Sequence, residues 1–285
     1  MGLLARCSAA WNGWRERTTL DQRPIPDPLW FTTLARYPFI ARRGAEDLHE
    51  LRRLTTLFLV RKEFSGAGGL QATDEIAVAI AVQACLPILK LGLASYDDFI
   101  GIVVHPDQVL VEREFIDDDG IVHLIEEALS GEAMSGGPMM LSWRDVAQAG
   151  ETADQSYNVV IHEFVHVLDM RDGVADGVPV LPSREARQDW LNVLNREYRG
   201  FCESLADDPD QLDHSVIDPY GAEAPEEFFA VAAEAFFVNP QALLDSHPVV
   251  YRLLQGYFQQ DPARVAAPIA KTPSTPAAQA PTALD

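Results

Sequence analysis

Residues 156–170, Ser-Tyr-Asn-Val-Val-Ile-His-Glu-Phe-Val-His-Val-Leu-Asp-Met, set the pattern His162-Glu163-Phe164-Val165-His166 inside a stretch that is otherwise almost wholly apolar. Read as a helix, positions i and i+4 share a face with about 5–6 Å between them, so two imidazoles can converge on one ion. Glu163 sits roughly 100° further round, within reach of a water at that ion without ligating it. His-Glu-x-x-His also arises by chance in unrelated helices, but a chance match on a solvated face would have charged flanks. Here the flanks are Val159, Val160, Ile161, Phe164, Val165, Val167 and Leu168, so the helix is buried. Two histidines and a glutamate are costly in such a helix unless they are neutralised or coordinated.

A catalytic zinc usually takes three protein ligands and leaves a fourth position open. No histidine follows at the spacing of the extended His-Glu-x-x-His-x-x-Gly-x-x-His pattern, and Asp169 holds the third place after His166. The third ligand therefore comes from elsewhere in the chain. A second apolar helix, residues 225–237, opens on Pro225, which suits a first helical turn, and carries Glu226, Glu227 and Glu234. Glu227 and Glu234 are two turns apart and share a face. Glu226 near the helix start is explained by the dipole alone. Glu234 is open between orienting a histidine and being a plain polar position. Asp169 is open between accepting a bond near the site, capping, and pairing with Arg171.

The net charge of −21, from 43 acidic against 22 basic residues, repels phosphate backbones and anionic surfaces, which argues against nucleic-acid and membrane partners. Three scattered cysteines, Cys7, Cys85 and Cys202, make neither a disulfide framework nor a Cys-rich zinc module. The N-terminal apolar run is too short for a signal peptide, and no stretch reaches the roughly 18 residues of a membrane span. The expected location is the cytoplasm.

The remaining chain reads as α+β, mostly helical with a small sheet. A 3.6-residue period of Leu48, Leu51, Leu54 and Phe58 predicts a helix over 45–64. Thr73 and Asp74 cap a second helix that Pro87 should kink or end. Two β-branched runs around His105-Pro106-Asp107 predict a hairpin, and 137–143 (GPMMLSW) predicts an edge strand behind a flexible GEAMSGG loop. That edge strand is expected to border the active site and pair with an extended peptide. The domain organisation is expected to be a lead-in over 1–27, a peptidase domain over 28–262, and a disordered Ala/Pro-rich tail over 263–285. His49, His105, His123, His214 and His247 stand in hairpin, loop or surface-like contexts and are read as non-ligands.

The order of GPMMLSW, His162-Glu-Phe-Val-His166-Val-Leu-Asp169-Met, Tyr220-Gly and Glu227-Phe-Phe-Ala-Val-Ala-Ala-Glu234, with the segments PFI, QACLPIL and VVHPDQV, resembles the Mlc titration factor A family of zinc peptidases. It is more distantly similar to the anthrax lethal factor catalytic domain. The resemblance runs from about Pro28 to Phe258 and implies a zincin-like metallopeptidase fold. It further implies one Zn2+ per chain on His162, His166 and Glu227, with Glu163 as general base. Tyr220 matches a tyrosine that points into the lethal-factor site, which implies a role in stabilising an oxyanion, and it can equally be the end of a Pro-Tyr-Gly turn. The lethal-factor pattern has a further glutamate four residues after the ligand, where this chain has Val231. The resemblance implies a peptide substrate, activity on small amino-acid anilides and, in enteric bacteria, binding of the Mlc glucose repressor. A G-x-M-E-N element that would anchor a free amino terminus is lacking, so aminopeptidase and endopeptidase cleavage both stay open. A different class, a weakly catalytic or non-catalytic protein that sequesters a transcriptional repressor, would bind its partner without Glu163.

Overall fold

The computed structural model describes residues 16–116, 122–129, 131–133, 137–207 and 215–264, with backbone alone over 109–116, 122–129 and 132–133 and at 154. The Ala/Pro-rich tail from 265, Cys7, His214, the acidic loop over 208–213 and the middle of the GEAMSGG loop lie outside the described residues, as does the side chain of His123.

Helices dominate. α1 (Asp27–Arg36), α2 (Pro38–Ala41) and α3 (Ala45–Arg61) lead into β1 (Glu63–Gly66) and α4 (Asp74–Cys85). α3 buries Leu51, Leu54 and Phe58 as its period requires, but it stops before the expected end. The chain turns extended at Lys62, whose buried ammonium donates to the carbonyls of Tyr96 and Phe99, and Glu63 onward pairs as a strand. α4 begins on the Thr73 hydroxyl, which accepts from Ile76 N, and ends two residues short of Pro87. Proline cannot supply the donor that another turn would need.

The hairpin expected around His105-Pro106-Asp107 does not form. β2 (Gly101–His105) pairs in parallel with β1 on one side and β6 (Met139–Ser142) on the other. β3 (Val109–Ile116) pairs antiparallel with β4 (Val122–Leu129) in a separate two-stranded sheet. β2 buries Ile102 and Val104 on one face, while Val103 on the other is only half-buried. The hairpin lies one strand later.

GPMMLSW is likewise not the edge. Only Met139–Ser142 is a strand, and the order β1-β2-β6-β5 places it inside the sheet, with β5 (Gly131–Ala133) antiparallel on its outer side. Three residues of the supposed loop thus form the edge. Ser142 leaves the strand to cap α5 (Trp143–Gln148), its hydroxyl accepting from Asp145 N.

α6 (Val159–Asp169), the helix of the His-Glu-x-x-His pattern, packs against β5, β6 and α4 on one side and against α8 (Pro225–Val238) on the other. Its Phe164 is fully buried in an aromatic cluster with Phe58, Tyr96 and Phe99, at 4.9 Å from the Tyr96 ring. α7 (Arg184–Asp207) packs on α8 through Trp190 against Phe229, α10 (Pro248–Phe258) through Phe258 against Phe229 and Phe236, and α9 (Pro240–Ser246) also contacts α8. Among the described residues no helix is long and apolar enough to cross a membrane.

Candidate metal centre

Two apolar helices, facing each other, bring the charged residues together. On α6 the first turn is set by Asn158, whose side-chain oxygen accepts from Ile161 N, so the helix starts three residues before His162. Across from it, every residue of α8 from Phe228 to Val238 is buried, which presses its carboxylate face onto α6.

His162 Nε2 lies 3.1 Å from His166 Nε2 and 3.1 Å from Glu227 Oε2, and His166 Nε2 lies 3.3 Å from the same oxygen. A tetrahedral ion held at about 2.0–2.1 Å from its ligands has ligand–ligand edges of about 3.3 Å. The three atoms therefore outline one face of such a polyhedron. Among the described residues they are the one group of histidine, cysteine and carboxylate atoms gathered in this way.

Chemistry points the same way. Glu234 Oε1 lies 2.8 Å from His162 Nδ1, and with Glu234 ionised, when a carboxylate only accepts, this contact assigns the proton to Nδ1. The neutral ring then turns its Nε2 lone pair toward the lone pairs of Glu227 and His166. That arrangement is repulsive until a proton or a cation stands among them. Burial disfavours the charged imidazole, yet Glu227 and Glu234 outweigh it and raise His162 well above the ordinary histidine value. Burial would likewise raise Glu227, but His162 and His166 hold it down to about 2. A divalent ion satisfies all three donors at once.

The oxygens of Glu234 are both engaged. While Oε1 meets His162, Oε2 accepts from Asn158 N, and the Asn158 amide donates to Gln83 Oε1 of α4 at 2.8 Å. Of the two readings open for Glu234, orientation of a histidine is the one its contacts bear out. Hydrogen bonds of this type fix the tautomer and the ring plane of a metal-binding histidine. Neither Asn158 nor Gln83 was singled out by the sequence. Gln83, the one polar residue of α4 beyond its acidic first turn, carried a legible signal, because a buried amide needs a partner.

Glu163 is 6% exposed and faces β5. Tyr220 lies in a 3-10 turn, Pro219–Ala222, held by Asp218 Oδ1 accepting its backbone N–H, and its ring stands 6.1 Å from that of His162. It is thus both part of the turn and a neighbour of the site. Glu226 takes no part in the triangle. Asp169 does not pair with Arg171, which reaches Asp98 instead. Its Oδ2 accepts from Gly177 N at 2.9 Å, tying the end of α6 to a loop that passes under the start of α8. Gly177 has φ 74, and a Cβ there would stand 2.6 Å from Pro225 O, so only glycine lets the loop through.

A model of the glucose-regulated metallo-peptidase M90 family matches residues 11–259. An uncharacterized protein of Synechocystis sp. is 38% identical over 255 residues, covering 88% of this chain and 90% of the relative. Mlc titration factor A of Pectobacterium atrosepticum is 33% identical over 228 residues, 79% of this chain and 83% of the relative. The protein of the same name from Cronobacter sakazakii is 32% identical over 252 residues, 87% and 91%. With a family model spanning most of its length and relatives of like extent above 30% identity, the chain belongs to the glucose-regulated metallo-peptidase M90 family.

Proposed function

We propose that the chain is a zinc-dependent peptidase of zincin-like fold, with one Zn2+ held by His162, His166 and Glu227 and with Glu163 as general base. The observation that carries this reading is the triangle of three ligand atoms with 3.1–3.3 Å edges, built from two helices with a glutamate next to one ligand. Two nitrogens and a carboxylate oxygen form a donor set of the catalytic zinc type, which leaves one position open. When bound, zinc acts as a Lewis acid toward a carbonyl and lowers the pKa of water toward about 7. Glu163 takes a proton from the attacking water as its oxygen bonds to the scissile carbonyl carbon. The same carboxyl later delivers that proton to the departing amine nitrogen as the C–N bond breaks. Tyr220 donates its hydroxyl proton in a hydrogen bond to the developing oxyanion. Peptides and aminoacyl amides are the substrate class, with aminopeptidase cleavage one form of it, and an extended substrate is expected to run along β5, the sheet edge nearest Glu163.

Zinc content near one per chain, with alanine anilide turnover lost in Glu163→Gln while zinc is retained, is the expected result. Full turnover in that variant would sink the assignment of Glu163.

A second reading is favoured by the name shared by two relatives, Mlc titration factor A. In it the chain sequesters a transcriptional repressor, and hydrolysis is incidental. Glu163→Gln separates the two, because repressor capture survives it and catalysis does not.

A further inference from the structure

Strand β5 lies directly against the side chain of Glu163. A Cβ built on Gly131 would stand 2.6 Å from Glu163 Cγ, 2.7 Å from Oε1 and 2.8 Å from Cδ. Carbon atoms do not approach so closely, so adding one methyl group forces a displacement. Gly131 is held by its strand pairing, so the Glu163 side chain is the partner that must give way. Gly131 is paired with Leu141 of β6, and β6 is itself held between β5 and the parallel strand β2. Glu163 is 6% exposed and grows from a helix whose adjacent residue, Phe164, is locked in the aromatic cluster. The other crowded glycines meet structural atoms. Gly66 faces the Leu70 backbone, Gly150 the Arg36 carbonyl, Gly177 the Pro225 carbonyl and Gly221 the Val231 side chain. Among the described glycines, Gly131 is the one set against the carboxylate on which the proposed chemistry depends.

We infer that Gly131 is a positioning residue. By having no side chain it lets the sheet edge lie on Glu163 and set where its carboxylate stands relative to His162, His166 and Glu227. The inference rests on the peptidase reading for its consequence in catalysis. A carboxylate displaced by about 1 Å from its working position costs on the order of 100-fold in rate without touching a ligand.

The test is a double-mutant cycle on the full, zinc-loaded chain, comparing wild type, Gly131→Ala, Glu163→Ala and the double variant. Gly131→Ala is expected to keep its zinc, to leave KM for alanine anilide near wild type, and to lower kcat about 100-fold. It is also expected to lower the melting temperature by several degrees, and by less than about 1 °C in the Glu163→Ala background, where the colliding atoms are gone. The intrinsic effect of alanine on the unfolded chain is common to both backgrounds and cancels. Equal loss of melting temperature in both backgrounds, or full kcat in Gly131→Ala, would overturn the inference. If wild type turns nothing over, the peptidase reading fails, and the melting cycle alone decides whether β5 holds Glu163 in place.

Discussion

Replacing Glu234 by glutamine changes the shape of the side chain almost not at all and reverses the hydrogen-bonding character of one of its two terminal atoms. Both atoms now face donors: Oε1 meets His162 Nδ1–H at 2.8 Å and Oε2 meets the backbone N–H of Asn158. A glutamine can accept at only one of these places. If its oxygen stays on His162, the Asn158 N–H at the head of α6 confronts an amide N–H in a site where Glu234 is 2% exposed. An unmet buried donor costs about 1–3 kcal/mol, which for a chain of this size is a melting-temperature loss of roughly 2–10 °C. If its amide instead turns to His162, the ring must move its proton to Nε2, the atom that faces Glu227 and His166, and the metal loses a ligand. Loss of a carboxylate that orients a metal-binding histidine costs about 10–100-fold in metal affinity. The variant must therefore show weaker zinc binding, lower stability of the metal-free form, or both. Competition of the protein with a chromophoric chelator measures the first, and thermal melting after dialysis against EDTA measures the second. Wild-type zinc affinity together with a wild-type melting temperature would refute the link between Glu234, His162 and the α6 start.

Two further predictions follow from the same geometry. Chelation should destabilise the chain, since zinc at 1,000 times its Kd adds about 4 kcal/mol to the folded state; the melting temperature should fall by roughly 10 °C and recover with zinc but not with magnesium. Asp169 carries a pH signature: burial raises its carboxyl to about 6, while the Gly177 N–H works against this. A folded-state value above the unfolded one of about 4 means that the folded chain holds the proton longer. Stability contributed at this site is therefore fully present below about pH 4 and is lost as pH rises to about 6, a total of about 3 kcal/mol. Urea unfolding of wild type and Asp169→Asn at pH 4.5 and 7 should show the variant gaining relative to wild type as pH rises, and a constant difference would refute it.

What could be read from the chain depends on how many elements each feature involves. The His162–His166 pair needs one helix, and spacing within a helix is fixed by its 3.6-residue turn, so the pair was legible from five residues. The shared face of Glu227 and Glu234 needs one helix as well, and it was legible to the same degree. What stands opposite that face was not, because it requires α8 to dock on α6 at one rotation and one height. The seven-residue spacing turns out to place the two carboxylates on either side of the His162 ring, one at Nε2 and one at Nδ1.

The sheet shows the same dependence more severely. Periodicity identified Ile102–Val104 and Met139–Leu141 as extended, yet it holds nothing about partners. A parallel pair such as β2 and β6 joins residues more than thirty positions apart in the chain. Neighbouring β-branched runs were therefore joined into a hairpin that the fold does not contain, while the real antiparallel partner, β4, went unrecognised. The edge strand that approaches Glu163 is the extreme case, three residues opening on a glycine with no pattern of its own. Gly131 acquires meaning only when α6, β5 and β6 are all in place, because its role is to leave empty a volume that Glu163 occupies. A residue that acts by absence leaves no compositional trace, and this is why the part of the site most sensitive to a single added carbon was the part least visible in the chain.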